Sequence, residues 1–152
     1  MTNFYTDVIQ RDARFTATLS CRDLALLEPT FRLKVQGILQ RAQAAGTPMI
    51  VTETYRSVQR QEMLFAQHAT ELQTVGVHHY GLACDFAKLI GGEANWGGSW
   101  TFLGDLCSQV GCTWGGDWGE PSAPHTFRDY DHIQAIAVAD QARLFDGSWY
   151  PG

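Results

Sequence analysis

Four side chains in this sequence have the types that hydrolytic metal chemistry needs: His78, Asp85, Asp129 and His132. A catalytic zinc site uses three protein ligands, leaves a position open for water, and keeps a carboxylate nearby to take the water's proton. Six residues separate His78 from Asp85, and Gly81 among them can turn the chain so that a loop histidine and a strand carboxylate converge. His132 follows much later, with Asp129 three residues before it. Two histidines and two carboxylates also arise by chance in many chains, and each alone is more often a hydrogen-bonded structural group. His79 competes with His78 as a ligand, and Asp131 competes with Asp129 as a base. His68 and His125 stand in no such register and read as loop or solvent-facing residues.

The elements that must position these groups follow from periodicity. Asp23 to Leu27 reads as a helical turn, and Pro29 suits the first turn of a helix that carries Phe31, Val35, Ile38, Leu39 and Ala42 inward and stops at Gly46. Met49 to Thr52 reads as a buried strand, and Ser57 caps a helix through Gln61, Leu64 and Phe65. Leu82 to Leu89 reads as a strand whose alternation puts Leu82, Cys84 and Phe86 on one face and Ala83, Asp85 and Ala87 on the other. A carboxylate between two alanines leaves room for a ligand beside it. Trp100 to Val110 suggests a helix closed by Gly111, Cys112 to Trp114 a strand, and 120–128 a loop. Asp131 to Ala135 reads as a strand, which would turn Asp131 away from the face of His132. Ala137 to Phe145 reads as a helix, and 146–152 as a tail. This irregular mixture favours the α+β class.

Composition narrows the function classes. A chain of 152 residues with 45% hydrophobic content builds one core, so residues 1–152 read as a single domain. The formal charge of -5 argues against a binder of nucleic-acid phosphates. No apolar run reaches the length of a membrane span, and Met1 to Phe15 carries charges where a signal peptide would be apolar. Synthesis in the cytoplasm is expected. The cysteines at 21, 84, 107 and 112 form no C-x-x-C pair and are expected as reduced, mostly buried thiols, with a Cys107–Cys112 disulfide conceivable after export.

The segment Gly76-Val77-His78-His79-Tyr80-Gly81-Leu82-Ala83-Cys84-Asp85 resembles the Ser-x-His-x-x-Gly-x-Ala-x-Asp motif of the VanY-type D-alanyl-D-alanine carboxypeptidase and L-alanyl-D-glutamate endopeptidase family, which has a hedgehog-like fold. Trp114 to Trp118 and Asp129-Tyr130-Asp131-His132 resemble the Trp-Gly-Gly-Asp-Trp and Asp-x-x-His stretches of its endopeptidase branch. Tyr55-Arg56-Ser57 with Gln61 and Leu64 looks like the family's arginine-bearing turn and helix, so the resemblance runs from about Leu24 to Tyr150 in order. Two departures stand out. Gly76 replaces the motif's serine, and the 120–128 loop is longer than the family's link.

The resemblance implies a small antiparallel sheet that bears a zinc site and packs against helices. It implies Zn²⁺ on His78, Asp85 and His132, since the step to Gly81 selects His78 over His79. Asp129 would be the general base. Arg56 would meet a substrate carboxylate or an oxyanion, and Trp114, Trp118 and Asp117 would lie near the substrate. The expected activity is hydrolysis of an amide in the peptide stem of bacterial peptidoglycan, between L-alanine and D-glutamate. A D,D-carboxypeptidase is the alternative, and a non-catalytic zinc-containing module the third reading. Action at the cell wall would require a lysis pore or a secretion partner.

Overall fold

A computed structural model describes residues 3–67, 76–117 and 129–152. His68, His125, Trp118 and the 120–128 loop lie outside the described residues. The chain opens on a short helix, α1 (Phe4–Asp7), where Asn3 accepts from the Thr6 amide and the Thr6 hydroxyl accepts from the Asn3 amide. A 3-10 turn at Leu24–Leu26 replaces the expected helical turn. Helix α2 (Pro29–Ala44) begins as expected at its proline, with the Glu28 carboxylate accepting from the amides of Thr30 and Phe31. Its inward stripe is Phe31, Val35, Ile38 and Ala42.

Strand β1 (Met49–Glu53) leads to helix α3 (Val58–Ala66), which Ser57 caps by accepting from the Arg60 amide. A 3-10 turn at Val77–Tyr80 then feeds β2 (Ala83–Ile90), β3 (Glu93–Asn95), α4 (Thr101–Val110) and β4 (Thr113–Trp114). Strand β5 (His132–Gln134) is shorter than expected, because Asp131 belongs to a turn. The expected helix over 137–145 divides into a 3-10 turn at Val138–Asp140 and helix α5 (Gln141–Phe145).

The sheet is antiparallel, ordered β1-β2-β5-β4, with β3 paired to the far half of β2. One face buries Cys84, Phe86 and Ile133 against α2 and α4 in the main core, which also takes in Leu103, Trp100 and Trp114. The expected tail packs back instead: Trp149 and Tyr150 lie against a smaller cluster of Val77, Leu82, Ala83, Ile136 and Leu144, and the Tyr150 hydroxyl donates to the Tyr80 carbonyl. Cys21, Cys84 and Cys107 are buried, Cys112 is partly so, and all four are free thiols. No helix among the described residues is long and apolar enough to cross a membrane.

Candidate metal centre

The site is one row across three neighbouring strands. Antiparallel register sets Glu53 of β1 opposite Asp85 of β2, and Asp85 opposite His132 of β5. Directly opposed residues project to the same face, so three polar side chains distant in sequence meet there. A register irregularity between Val51 and Glu53 brings Glu53 into line. His78 arrives from the 3-10 turn, which ends at Gly81 with φ of 72°. A Cβ at Gly81 would sit 2.6 Å from both the Leu26 carbonyl and Ile9, so neither the backbone sign nor the space admits a side chain.

His78, Asp85 and His132 offer ligand atoms that all lie within 4.8 Å of one another. His78 Nε2 is 3.2 Å and His132 Nδ1 is 3.0 Å from Asp85 Oδ1. The Thr54 carbonyl, which can only accept, lies 2.7 Å from His78 Nδ1; that nitrogen therefore carries a proton, and in the neutral ring the lone pair falls on Nε2. His78 Nε2 is buried and makes no hydrogen bond. Burial alone would raise the Asp85 pKa, but the two histidines hold it well below the usual carboxylate range. Burial likewise lowers that of His132, and the hydrogen bond and charge of Asp85 more than reverse this. In the metal-free protein a proton is thus held where electron-rich atoms converge. A buried, unsatisfied imidazole nitrogen facing a carboxylate and a second imidazole is a donor set that fits a zinc ion.

Arg56 lies behind this cluster. Its guanidinium donates to Glu53 at 3.0 Å, Gln61 at 3.1 Å and Asp85 Oδ2 at 3.4 Å. Burial would lower its pKa, but Glu53 and Asp85 raise it instead. Glu53 is held in turn by Arg60 of α3. His79 is spent elsewhere: its Nδ1 donates to the Arg56 carbonyl at 3.2 Å, and the Tyr5 hydroxyl donates to its Nε2 at 2.7 Å.

Asp85, Asp129 and Asp131 form a second cluster, again with ligand atoms within 4.8 Å. This corrects the expectation that Asp131 faces away. Because residues 130–131 form a turn and not a strand, alternation does not apply to them, and Asp131 swings to the Asp129 side. Burial, a hydrogen bond with Asp129 and the charges of Asp85 and Asp129 push Asp131 up to about 9. Gly115 allows the approach of this turn, since a Cβ there would lie 2.1 Å from the Asp129 carbonyl oxygen, and its own carbonyl accepts from the Asp129 amide at 3.1 Å.

Trp114 is placed in the apolar core, where it donates from Nε1 to the Tyr130 carbonyl at 2.8 Å and so supports the carboxylate turn. Asp117 is exposed and belongs to neither cluster. Sequence reasoning missed Thr54, Glu53 and Gly115. The strand-end acid at Glu53, three residues before Arg56, was the available signal for one of them.

No protein-family model matches the chain. It is 28% identical over 129 residues to the peptidoglycan L-alanyl-D-glutamate endopeptidase CwlK of Bacillus subtilis, covering 72% of this chain and 74% of that protein. Among solved structures it is similar to the L-Ala D-Glu endopeptidase ChiX of Serratia marcescens, with a TM-score of 0.57 and 22% identity over 80% of this chain and 89% of that one. It is also similar to the vancomycin-resistance D,D-pentapeptidase VanY in complex with Zn(II), with a TM-score of 0.55 and 14% identity over 79% and 78%. The structural likenesses establish the α+β, VanY-type fold.

Proposed function

We propose that this chain, by fold and motif a VanY-type peptidase, is a zinc-dependent hydrolase of the peptidoglycan peptide stem that cuts between L-alanine and D-glutamate. The observation that carries this reading is the convergence of His78 Nε2, Asp85 and His132 Nδ1 beside the Asp129 carboxylate. The resemblance to CwlK and ChiX, both named for that bond, supports the choice of substrate. The likeness to VanY supports the alternative, a D,D-carboxypeptidase. The chain's action at the cell wall would depend on a delivery route, by pore or secretion partner.

His78, Asp85 and His132 would hold the zinc, which when bound supplies a Lewis acid for the scissile carbonyl and acidifies a water. Asp129 takes that water's proton as general base and returns it to the leaving amine. Asp131 orients Asp129: its carboxyl, pushed up to about 9, shares a hydrogen bond with the Asp129 carboxylate and holds that side chain beside the ligand row. Arg56 is a positioning residue in this reading, since its two terminal nitrogens donate to Glu53, Gln61 and Asp85. It fixes the Asp85 carboxylate from behind and adds positive charge near the developing oxyanion. A base beside the ligand row weighs against a purely zinc-binding module.

Mass spectrometry of defined muropeptides after digestion tests the reading. The expected product is a peptide with a new D-glutamate amino terminus, from protein carrying about one zinc per chain. Free D-alanine in its place would establish the carboxypeptidase, and intact muropeptides with zinc-loaded protein would overturn the enzymatic reading.

A further inference from the structure

Behind His132, on the side away from Asp85, the structure holds a chain of amides. Gln134 is 1% exposed and lies two residues along β5, on the same face as His132. Its Nε2 donates to the Ile136 carbonyl at 3.0 Å and to Gln141 Oε1, at the start of α5, at 2.9 Å. Its Oε1 lies 3.0 Å from His132 Nε2.

The polarity of this chain follows from its last member. The Ile136 carbonyl can only accept, so the Gln134 nitrogen must face it, and Gln141 Oε1 takes the other amide hydrogen. With both hydrogens committed, Gln134 cannot turn its amide round, and its oxygen is left to face His132. An oxygen acceptor there requires a proton on His132 Nε2. Nδ1, the nitrogen that points at Asp85, is thereby the one left to offer a lone pair to a metal when the proton it shares with Asp85 leaves.

We infer that Gln134 and Gln141 form a tautomer lock, in which helix α5, through a buried glutamine, dictates that His132 offers Nδ1 to the metal. The inference rests on the proposed ligand set of His78, Asp85 and His132. His78 receives the same service from the Thr54 carbonyl, but a backbone acceptor has fixed polarity, whereas a side-chain amide needs its own partners to hold it. Gln141 and Ile136 are those partners. They tie the C-terminal helix, which supplies no ligand, to metal affinity. Acceptors of this kind behind a ligating histidine change metal affinity by about 10- to 100-fold.

The test is made on the full chain by two measurements. In ¹⁵N-imidazole spectra, recorded with and without zinc, His132 Nε2 carries a proton in both states; an unprotonated Nε2 in either overturns the lock without reference to any variant. Zinc competition against a chromophoric chelator then reads the affinity. Gln134→Leu weakens zinc by about 10- to 100-fold, while Gln134→Glu, which keeps an oxygen toward His132 but loses both amide donors, stays within about threefold of wild type. Equal weakening in Gln134→Leu and Gln134→Glu would reduce Gln134 to a packing role, and unchanged affinity in Gln134→Leu would overturn the proposal. If Gln134→Leu does not fold, the spectra and Gln134→Glu still decide. Failure of the wild-type protein to bind zinc would sink the ligand set instead, and the spectrum of the metal-free protein would judge the lock on its own.

Discussion

On one face of β2, Cys84 and Phe86 enter an apolar cluster with Phe31, Leu103 and Ile133; on the other, Asp85 meets Arg56, His78 and His132. The two faces are built from alternate residues of the same strand, yet they obey different rules. The apolar face needs volume and exclusion of water, and any side chain of similar size and shape does nearly as well. The polar face needs every donor matched, because an unpaired buried charge is far costlier than a small void. Its groups are accordingly committed in sequence: Arg60 to Glu53, Glu53 to Arg56, Arg56 to Asp85. Two buried nitrogens of this face stay without a hydrogen bond, Arg56 Nε and the His78 Nε2 that faces the ligand position. The strand thus separates stability from chemistry.

That separation is broken most severely at Asp85. Asp85→Ala removes a ligand and one anion from Arg56, so zinc content should fall from about one per chain to near none, with activity down by more than about 100-fold. Phe86→Ala, one residue away, should cost about 3–5 kcal/mol of stability by opening a cavity. The fraction that stays folded should still bind zinc with affinity near wild type. Metal analysis and denaturant unfolding on both variants decide the matter; equal zinc loss from the two would show that the faces are not independent.

Asp129→Asn carries the next largest effect and sharpens the contrast within the polar face. The substitution keeps the side chain's size but removes a proton acceptor, so turnover on a muropeptide should drop by about 10²-fold or more while zinc is retained. Asp131→Asn should cost far less, because an amide nitrogen can donate to Asp129 as the protonated carboxyl does. A dead, zinc-loaded Asp131→Asn beside an active Asp129→Asn would transfer the base to Asp131.

The same contrast explains which features are legible in the amino-acid sequence. Helix α2, strand β1, the Ser57 cap and the two faces of β2 follow from periods and caps contained within a dozen residues. The proposed ligands His78, Asp85 and His132 are legible through a motif, while their convergence depends on the register that sets Asp85 against His132. Glu53 is not legible as part of the site, since its meeting with Asp85 depends on an irregularity in a strand pair. Asp131 is misplaced by periodicity because alternation, extended one residue too far, runs into a turn. Helix α1, four residues long, offers too little periodicity to stand out. Nothing local announces that 149–150 pack onto Leu82 and Val77.

The smallest expected effect sets Asp131 against Asp85 and is read as stability against pH in the metal-free protein. Asp85 is held well below its usual range, so its contribution is present above the unfolded carboxylate value near 4 and is lost as pH falls through the lower folded value. Asp131 has the opposite sign. It is pushed up to about 9, so between about pH 4 and that value the unfolded chain releases a proton that the folded chain keeps, and stability declines as pH rises. Partial exposure and relaxation reduce the full linkage to about 1–2 kcal/mol near neutrality, which for a domain of this size is about 3–6 °C in Tm. Asp131→Asn removes the titration while keeping a donor toward Asp129. Its Tm should match wild type near pH 4 and exceed it by that margin near pH 8. A difference between the two proteins that is flat from acid to alkaline pH would show that Asp131 is already ionised in the fold, and its hydrogen-bond donation to Asp129 would be lost with it.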